Sequence, residues 1–422
     1  MGQPDSGRQT RYWQAGQITA TAVYAALGAL CLLVIVVLPA GGLFHHLPLP
    51  HLDQGTPVDG VVTALIGQVP QPTPDGSGML ERYAVQLTSG PQAGQVVTVQ
   101  RTRLPGDPFT IRVGDHVLLI HTTGGSGDSY YIADHLRTGT LLLLAALFVG
   151  LTLLVAGIAG ARALLALGVS LLIILRFILP GLLAGYAPLT ITALGAAVIV
   201  LAALYIAHGV TWQTTVALGG TLLSVALTCA LGLWAIRAAR FTGLASDEAS
   251  TLQTYTHGAI DPRGLLLSGM VLGTLGMVTD VTVAQAATVF ALRETDPALA
   301  VGALYRRAMA VGREHIGSLI YTLTLAYSGG ALALLMLLAA NTEPLGVVLN
   351  RELVSAELAR TLVGSIGIVG CVPLTTLLAV GVARRNTRGA VRESGIDGAK
   401  ASRALEGGRR QTAGWTPPPG PR

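Results

Sequence analysis

Asp280 is the only charged residue between Leu265 and Leu292, inside the run LSGMVLGTLGMVTDVTVAQAATVFAL, which is long enough to cross a bilayer. An ionisable group at the centre of a membrane helix costs roughly 2.5 to 3.5 kcal/mol on insertion scales, so it turns toward protein or a wet cavity. Gly269, Gly273, Gly276, Asp280, Ala284 and Ala287 recur at spacings of three and four. That spacing is one helical face, made of small residues that let helices approach, and it predicts that Asp280 faces other helices. Two chemistries fit the carboxylate there. One is an ion or proton site, since desolvation favours the neutral acid; the other is a hydrogen-bonded fastening between helices, to Tyr321 or Thr324.

Two further intramembrane features accompany it. Arg176, in LLIILRFILPG, lies deep in an apolar segment, and a rise of about 1.5 Å per residue puts it near the level of Asp280. Either the two pair, or Arg176 snorkels past Phe177 and Pro180 to the headgroups. Arg313, Gly317, Tyr321, Thr324 and Ser328 fall on one side of a later helix, and with Asp280 and Arg176 they make up the expected polar core. Arg313, Glu314 and His315 stand together where that helix begins. One His and one Glu make a weak metal set, and a solvated helix entry explains them; no metal site is expected there. The same holds for His45, His46 and His51.

The elements that must position these residues are apolar. About half the chain is hydrophobic (51%), 12% is charged and 5% aromatic, the balance of a membrane protein. With about 20 apolar residues needed per span, eight candidates emerge: Thr19–Gly41, Gly139–Gly160, Ala163–Gly185, Ala187–Ala207, Thr214–Ile236, Gly264–Leu292, Ile316–Ala340 and Leu358–Val382. Residues 1–18 precede the first, an anchor of apolar length exceeding a cleaved leader's core, and the other seven form a bundle over 139–383. The fold class expected is a polytopic α-helical membrane protein with a small extracytoplasmic β domain over 45–137, OB-like or SH3-like. Its strands read as VDGVVTALI, RYAVQLTSG, GQVVTVQR and IRVGDHVLLIHTT, with Val113-Gly-Asp-His116 as a tight turn and QVPQPTPDGSG as a loop.

Arginines set the orientation. Arg8, Arg11, Arg162, Arg293, Arg306, Arg307, Arg313 and the cluster from Arg384 fall on one side of an eight-span chain, which puts both termini in the cytoplasm of a bacterial inner membrane. Arg237, Arg240 and Arg263 fall on the other side, against the rule. The net charge of +5 comes with a single lysine, Lys400, and implies no nucleic-acid partner. The basic segment 384–422 reads as a disordered tail beside anionic lipid. Cys31, Cys229 and Cys371 sit in expected helices and form no disulfide framework. No ATP-binding loop, nucleophile elbow or metalloprotease signature is present, so neither an enzyme nor a cofactor is expected.

The blocks 264–294 and 308–330 resemble the YibE/F family of bacterial membrane proteins. That family's pattern has a glycine-rich helix reaching an aspartate, a small-residue run ending in Glu, then a Gly-Arg-Asp entry to the next helix. Asp280, Glu294, Gly312 and Arg313 match, and Thr322-Leu323 falls on a Thr-Leu pair. Thr279, the AQAAT run, Glu314 for Asp and Tyr321 for Asn depart from it. The resemblance implies the β domain and the helices in outline and brings no agreed activity. The expectation is therefore a permease for a small solute or ion; the alternative is an envelope scaffold or sensor whose β domain binds a protein partner, or a homo-oligomer.

Overall fold

The computed structural model describes residue 26, residues 28–31, residue 33, and residues 55–73, 76–124, 127–340 and 343–412, with side chains through Arg384. The chain divides into two compact units, Pro48–Ala161 and Met1–Leu47 with Arg162–Arg422.

The first unit carries a five-stranded antiparallel sheet: β1 (Thr56–Thr73), β2 (Gly76–Leu87), β3 (Val96–Arg103), β4 (His116–Gly124) and β5 (Gly127–His135), in the order β3-β2-β1-β4-β5. Residues at every second position turn inward: Val58 and Val62, Tyr83, Val85 and Leu87, Val117 and Leu119 pack one core with Val99, as the period of a half-buried strand requires. β1 pairs with β4 up to Val61 and with β2 from Gly60 onward. The changeover falls at Gly60, where a Cβ would lie 2.6 Å from Val85 and 2.9 Å from Leu119, so a larger residue would wedge the sheet apart. The tight turn expected at Val113–His116 is present, with Gly114 at φ 94, a left-handed conformation that favours glycine. The expected loop QVPQPTPDGSG is instead a hairpin arm, with Pro70 opposite Met79 and Pro72 opposite Ser77. Proline is tolerated because this half of β1 has no strand on its other edge and needs no donor there.

Within that core Glu81 is buried, accepts hydrogen bonds from Tyr83 Oη (2.6 Å) and Gln68 Nε2 (3.1 Å), and lies 3.7 Å from Arg103. Burial, then the bond to Glu81, pushes the Tyr83 phenol above its ordinary range.

The rest is helical. α1 (Thr138–Ile173) leaves helical geometry at Gly157 (φ 55, ψ −129) and passes through a π-helical turn (Ile174–Ile178) into α2 (Leu179–Leu183). The second and third expected spans thus lie in one apolar stretch, Thr138–Leu183, as helical segments on either side of the kink at Gly157. α3 (Pro188–His208), α4 (Trp212–Ala238) and α6 (Pro262–Thr295) lie within two residues or so of the expected spans, and the short α5 (Asp247–Tyr255) links the last two. α7 (Val301–Gly330) and α8 (Leu332–Ala339) bend by 74° where one span was expected. α9 (Leu345–Asn350) precedes α10 (Glu352–Thr412). Among the described residues five helices are long and apolar enough to cross a membrane, or six if the bent pair counts as one, against the eight expected; the first expected span lies almost wholly outside the described residues. α10 stays helical to Thr412 where a disordered tail was expected; Ala, Arg and Glu there are good helix formers, and no proline intervenes before Pro417.

At the centre, α4, α6 and α10 approach closely through glycines set against hydroxyls. Gly220 faces Thr375, Gly367 faces Thr228, and a Cβ at Gly364 would lie 2.5 Å from Thr274 Cγ2. Thr221 and Thr282 share a hydrogen bond of 2.7 Å across α4 and α6, and Gln285 Nε2 donates to Thr376 Oγ1 (2.7 Å) and to the Ala308 carbonyl (3.0 Å). Most other buried hydroxyls, such as Ser224, Thr228 and Ser268, donate to the carbonyl four residues back, which satisfies them without water; those of Thr192 and Thr375 have no partner among the described residues.

Two measurements check this packing. Gly220→Leu should lower the melting temperature of the purified protein through a clash worth at least about 1 to 3 kcal/mol, whereas Gly276→Ala, with nothing within 4 Å of the new Cβ, should leave it unchanged or raised. Tyr83 has a folded pKa above its unfolded value near 10. Its contribution is therefore complete below about pH 10 and is lost as pH rises beyond that; thermal unfolding should show a shallower alkaline decline in Tyr83→Phe than in the wild type.

Candidate functional site

α6 has two polar faces, and the packing decides which one is inside. Ser268, Thr274, Thr282 and Gln285 are buried against α4 and α10. The other face, Gly273, Gly276, Asp280 and Ala284, is exposed, with Gly269 half-buried at its start. This corrects the expectation that the glycine and aspartate face points into the bundle. At 100° per residue Asp280 lies about 200° around the helix from both Val278 and Thr282, and those two are buried.

The glycine face is covered at one end only. Arg360 Nη2 would lie 3.8 Å from a Cβ on Gly269, and Tyr327 Oη would lie 2.6 Å from one on Gly273. Arg360 comes from α10 and pairs with Glu357, one turn earlier, at 3.3 Å; Tyr327 comes from α7. The Arg360 Nε and the Tyr327 hydroxyl are buried without a hydrogen-bond partner among the described residues. Glycine is thus favoured at 273, where the Tyr327 phenol occupies the space of a side chain, whereas at 269 a Cβ would meet Arg360 at ordinary contact distance. The spans Ile316–Ala340 and Leu358–Val382 contain Tyr327 and Arg360, but spacing along either helix does not show that the two meet over a third. The available signal was Arg360 itself, a charge three residues into an apolar run.

Beyond Gly276 the face is open to Asp280. Among the described residues Asp280 makes no ion pair or hydrogen bond. A carboxylate so placed can take up a proton or hold a cation, and the spare N–H of Arg360 and the phenol can bind an anion or a polar solute. The resulting track, Arg360, Glu357 and Tyr327 at one end and Asp280 at the other, follows one helix face over roughly 16 Å from Gly269 to Asp280.

The remaining expected site residues lie elsewhere. Arg176 is exposed on the π-helical turn, whose Phe177 and Ile178 are the residues that enter the core. No Arg176–Asp280 pair forms. Ile178 packs on Gly195 and Pro188 on Gly264, and counting along α3 and α6 from that common end separates the two levels by roughly 10 Å. Tyr321 is 59% exposed and Thr324 is exposed, its hydroxyl donating to the Ile320 carbonyl; Ser328 is half-buried. They do not join Asp280, because α7 seats Leu304, Ala308, Gly312 and Leu323 inward and Tyr321 lies nearly opposite that stripe. Arg313, Glu314 and His315 are exposed on the same helix. His45, His46 and His51 lie outside the described residues.

The family model described as YibE/F-like protein matches residues 144–385, which span the helices that carry this track. No curated protein and no solved structure matches the chain.

A double-mutant cycle tests the cover over the glycines. Gly273→Ala should destabilise the purified protein, and Tyr327→Phe, by vacating the 2.6 Å contact, should recover part of that loss, with a coupling of about 0.5 to 3 kcal/mol in thermal unfolding. Strict additivity would mean that the phenol does not occupy the space over Gly273.

Proposed function

The chain belongs to the YibE/F-like family, and we propose that it works there as a membrane permease for a small polar solute or ion. The path runs along the exposed face of α6, from the Arg360, Glu357 and Tyr327 cluster to Asp280. One observation carries the reading: among the described residues, a carboxylate midway along a 34-residue apolar helix is exposed and has no ion-pair or hydrogen-bond partner. Turned to lipid it would be a standing cost of roughly 2.5 to 3.5 kcal/mol. Turned to a water-lined groove it costs little and can load and release a proton or cation. Gly276 before it and Ala284 after it are small, so the helix itself puts no bulky side chain on that face beside Asp280.

Placement in a bacterial inner membrane, with both termini cytoplasmic, fits the arginines. Arg162 donates from Nε to the Ile206 carbonyl (2.8 Å), and Arg293 donates to the carbonyls of Pro297 and Leu299. These ties hold arginines at the bundle end where α3 and α6 finish, the end that a positive-inside bias makes cytoplasmic. The basic stretch from Arg384 leaves at that same end, beside anionic headgroups.

The second reading, a scaffold or sensor, rests on the β domain. Its five-stranded antiparallel order, with β3 and β5 at the two edges and near one another in space, supports reading it as an OB-like barrel, an architecture that presents a binding face. A protein partner there is compatible with transport by the helices.

Flux separates the two readings. Reconstituted protein should dissipate an imposed ion or proton gradient across liposomes, and Asp280→Asn should lower the rate at least tenfold without changing the melting temperature. Wild-type flux no greater than that of empty liposomes across a broad ion and metabolite panel would remove the permease reading and leave the scaffold.

A further inference from the structure

Three arginines remain without a role in this account: Arg237, Arg240 and Arg263, the ones that run against the orientation bias of the rest. They converge. The last turn of α4, the first turns of α3 and the start of α6 enclose an open cavity of about 520 Å³, and all three arginines line it. The only acidic residue in the lining is Asp261, and both its oxygens are engaged in capping α6, accepting from the backbone N–H of Arg263 (3.1 Å) and Gly264 (3.2 Å). Among the described residues none of the three guanidinium groups forms an ion pair. The backbone at Arg240 turns through φ 55, a conformation rare outside glycine and asparagine, which ends α4 and holds that arginine at the cavity. The floor is apolar, formed in part by Leu233 and Leu267.

We infer that this cavity binds a phosphate-bearing anion. Three positive charges face one negative charge that is already committed to capping α6, and the N-terminus of α3 opens on the same space with its positive dipole end. Guanidinium is the group that matches phosphate oxygens in pairs. An apolar floor beneath a cationic rim suits an anion with an apolar body, such as a phospholipid headgroup with the start of its chains, and equally admits a soluble phosphate compound. The inference stands apart from the Asp280 track and holds whether or not the chain transports anything.

The test uses the full chain in nanodiscs. In the lipid arm, discs contain phosphatidylglycerol and phosphatidylcholine, and native mass spectrometry counts the phosphatidylglycerol retained on the released protein. In the soluble arm, discs contain phosphatidylcholine alone, and the melting temperature is followed against inorganic phosphate with chloride as the control. Retention of phosphatidylglycerol alone identifies a lipid headgroup as the occupant; a rise in melting temperature with phosphate identifies a soluble phosphate compound. In the responding arm each of Arg237→Gln, Arg240→Gln and Arg263→Gln should weaken binding by about threefold, the effect of an exposed charge contact. The triple variant should lose it altogether, while Arg306→Gln with Arg307→Gln, at the opposite end, should bind as the wild type does. The single variants carry the test if the triple variant does not fold. No response in either arm, or responses that the single variants leave unchanged, would overturn the inference.

Discussion

The close approach of α4, α6 and α10 is the constraint on which the rest of the bundle depends. Three glycines, Gly220, Gly364 and Gly367, sit where a threonine from a neighbouring helix fills the space of a side chain. Without a hydrophobic drive between helices in lipid, association rests on such packing and on hydrogen bonds between helices. Here the bonds are Thr221 to Thr282 and Gln285 to Thr376. They fix the rotation of α6 about its own axis, because only one of its two small-residue faces can meet those partners.

That rotation has a functional consequence. Once Ser268, Thr274, Thr282 and Gln285 are committed to the interior, the face of Gly269, Gly273, Gly276 and Asp280 must lie outside the packed core. Gly273 is then used a second time, to admit Tyr327, and among the described residues Gly276 and Asp280 beyond it are exposed. A single helix thereby serves as the central packing element on one side and as the wall of a polar track on the other. The polar groups of that track come from three separate helices, α6, α7 and α10, so no short sequence motif contains it.

Much of this was legible in the chain before its structure, and the parts that were not share one cause. The alternation of Val58, Gly60 and Val62 announces a strand because a sheet has a period of two and a single buried face. The spans at α3, α4 and α6 are plain because length and apolarity suffice to define them. The position of Asp280 as an isolated charge is equally plain. Which way it faces is not, since α6 is apolar nearly all round and carries small residues on both faces, so periodicity finds two candidate interfaces without saying which is used. Tyr321 and Thr324 were grouped with Asp280 for the same reason. Their spacing defines a side of α7, but Leu323 and Gly312 define the buried side, and a leucine in an apolar helix carries no mark of that. Arg360 and Tyr327 were overlooked because their role exists only opposite the glycines of another helix.

The central claim is that the open face of α6 meets water. Single cysteines at Gly276, Asp280 and Ala284, with Thr282 as the buried control and Cys31, Cys229 and Cys371 replaced, can be exposed in intact membranes to a charged, membrane-impermeant thiol reagent. The account predicts rapid modification at 276, 280 and 284 and none at 282. Absence of modification at all three positions, with the protein folded, would place that face against lipid or protein and contradict the account.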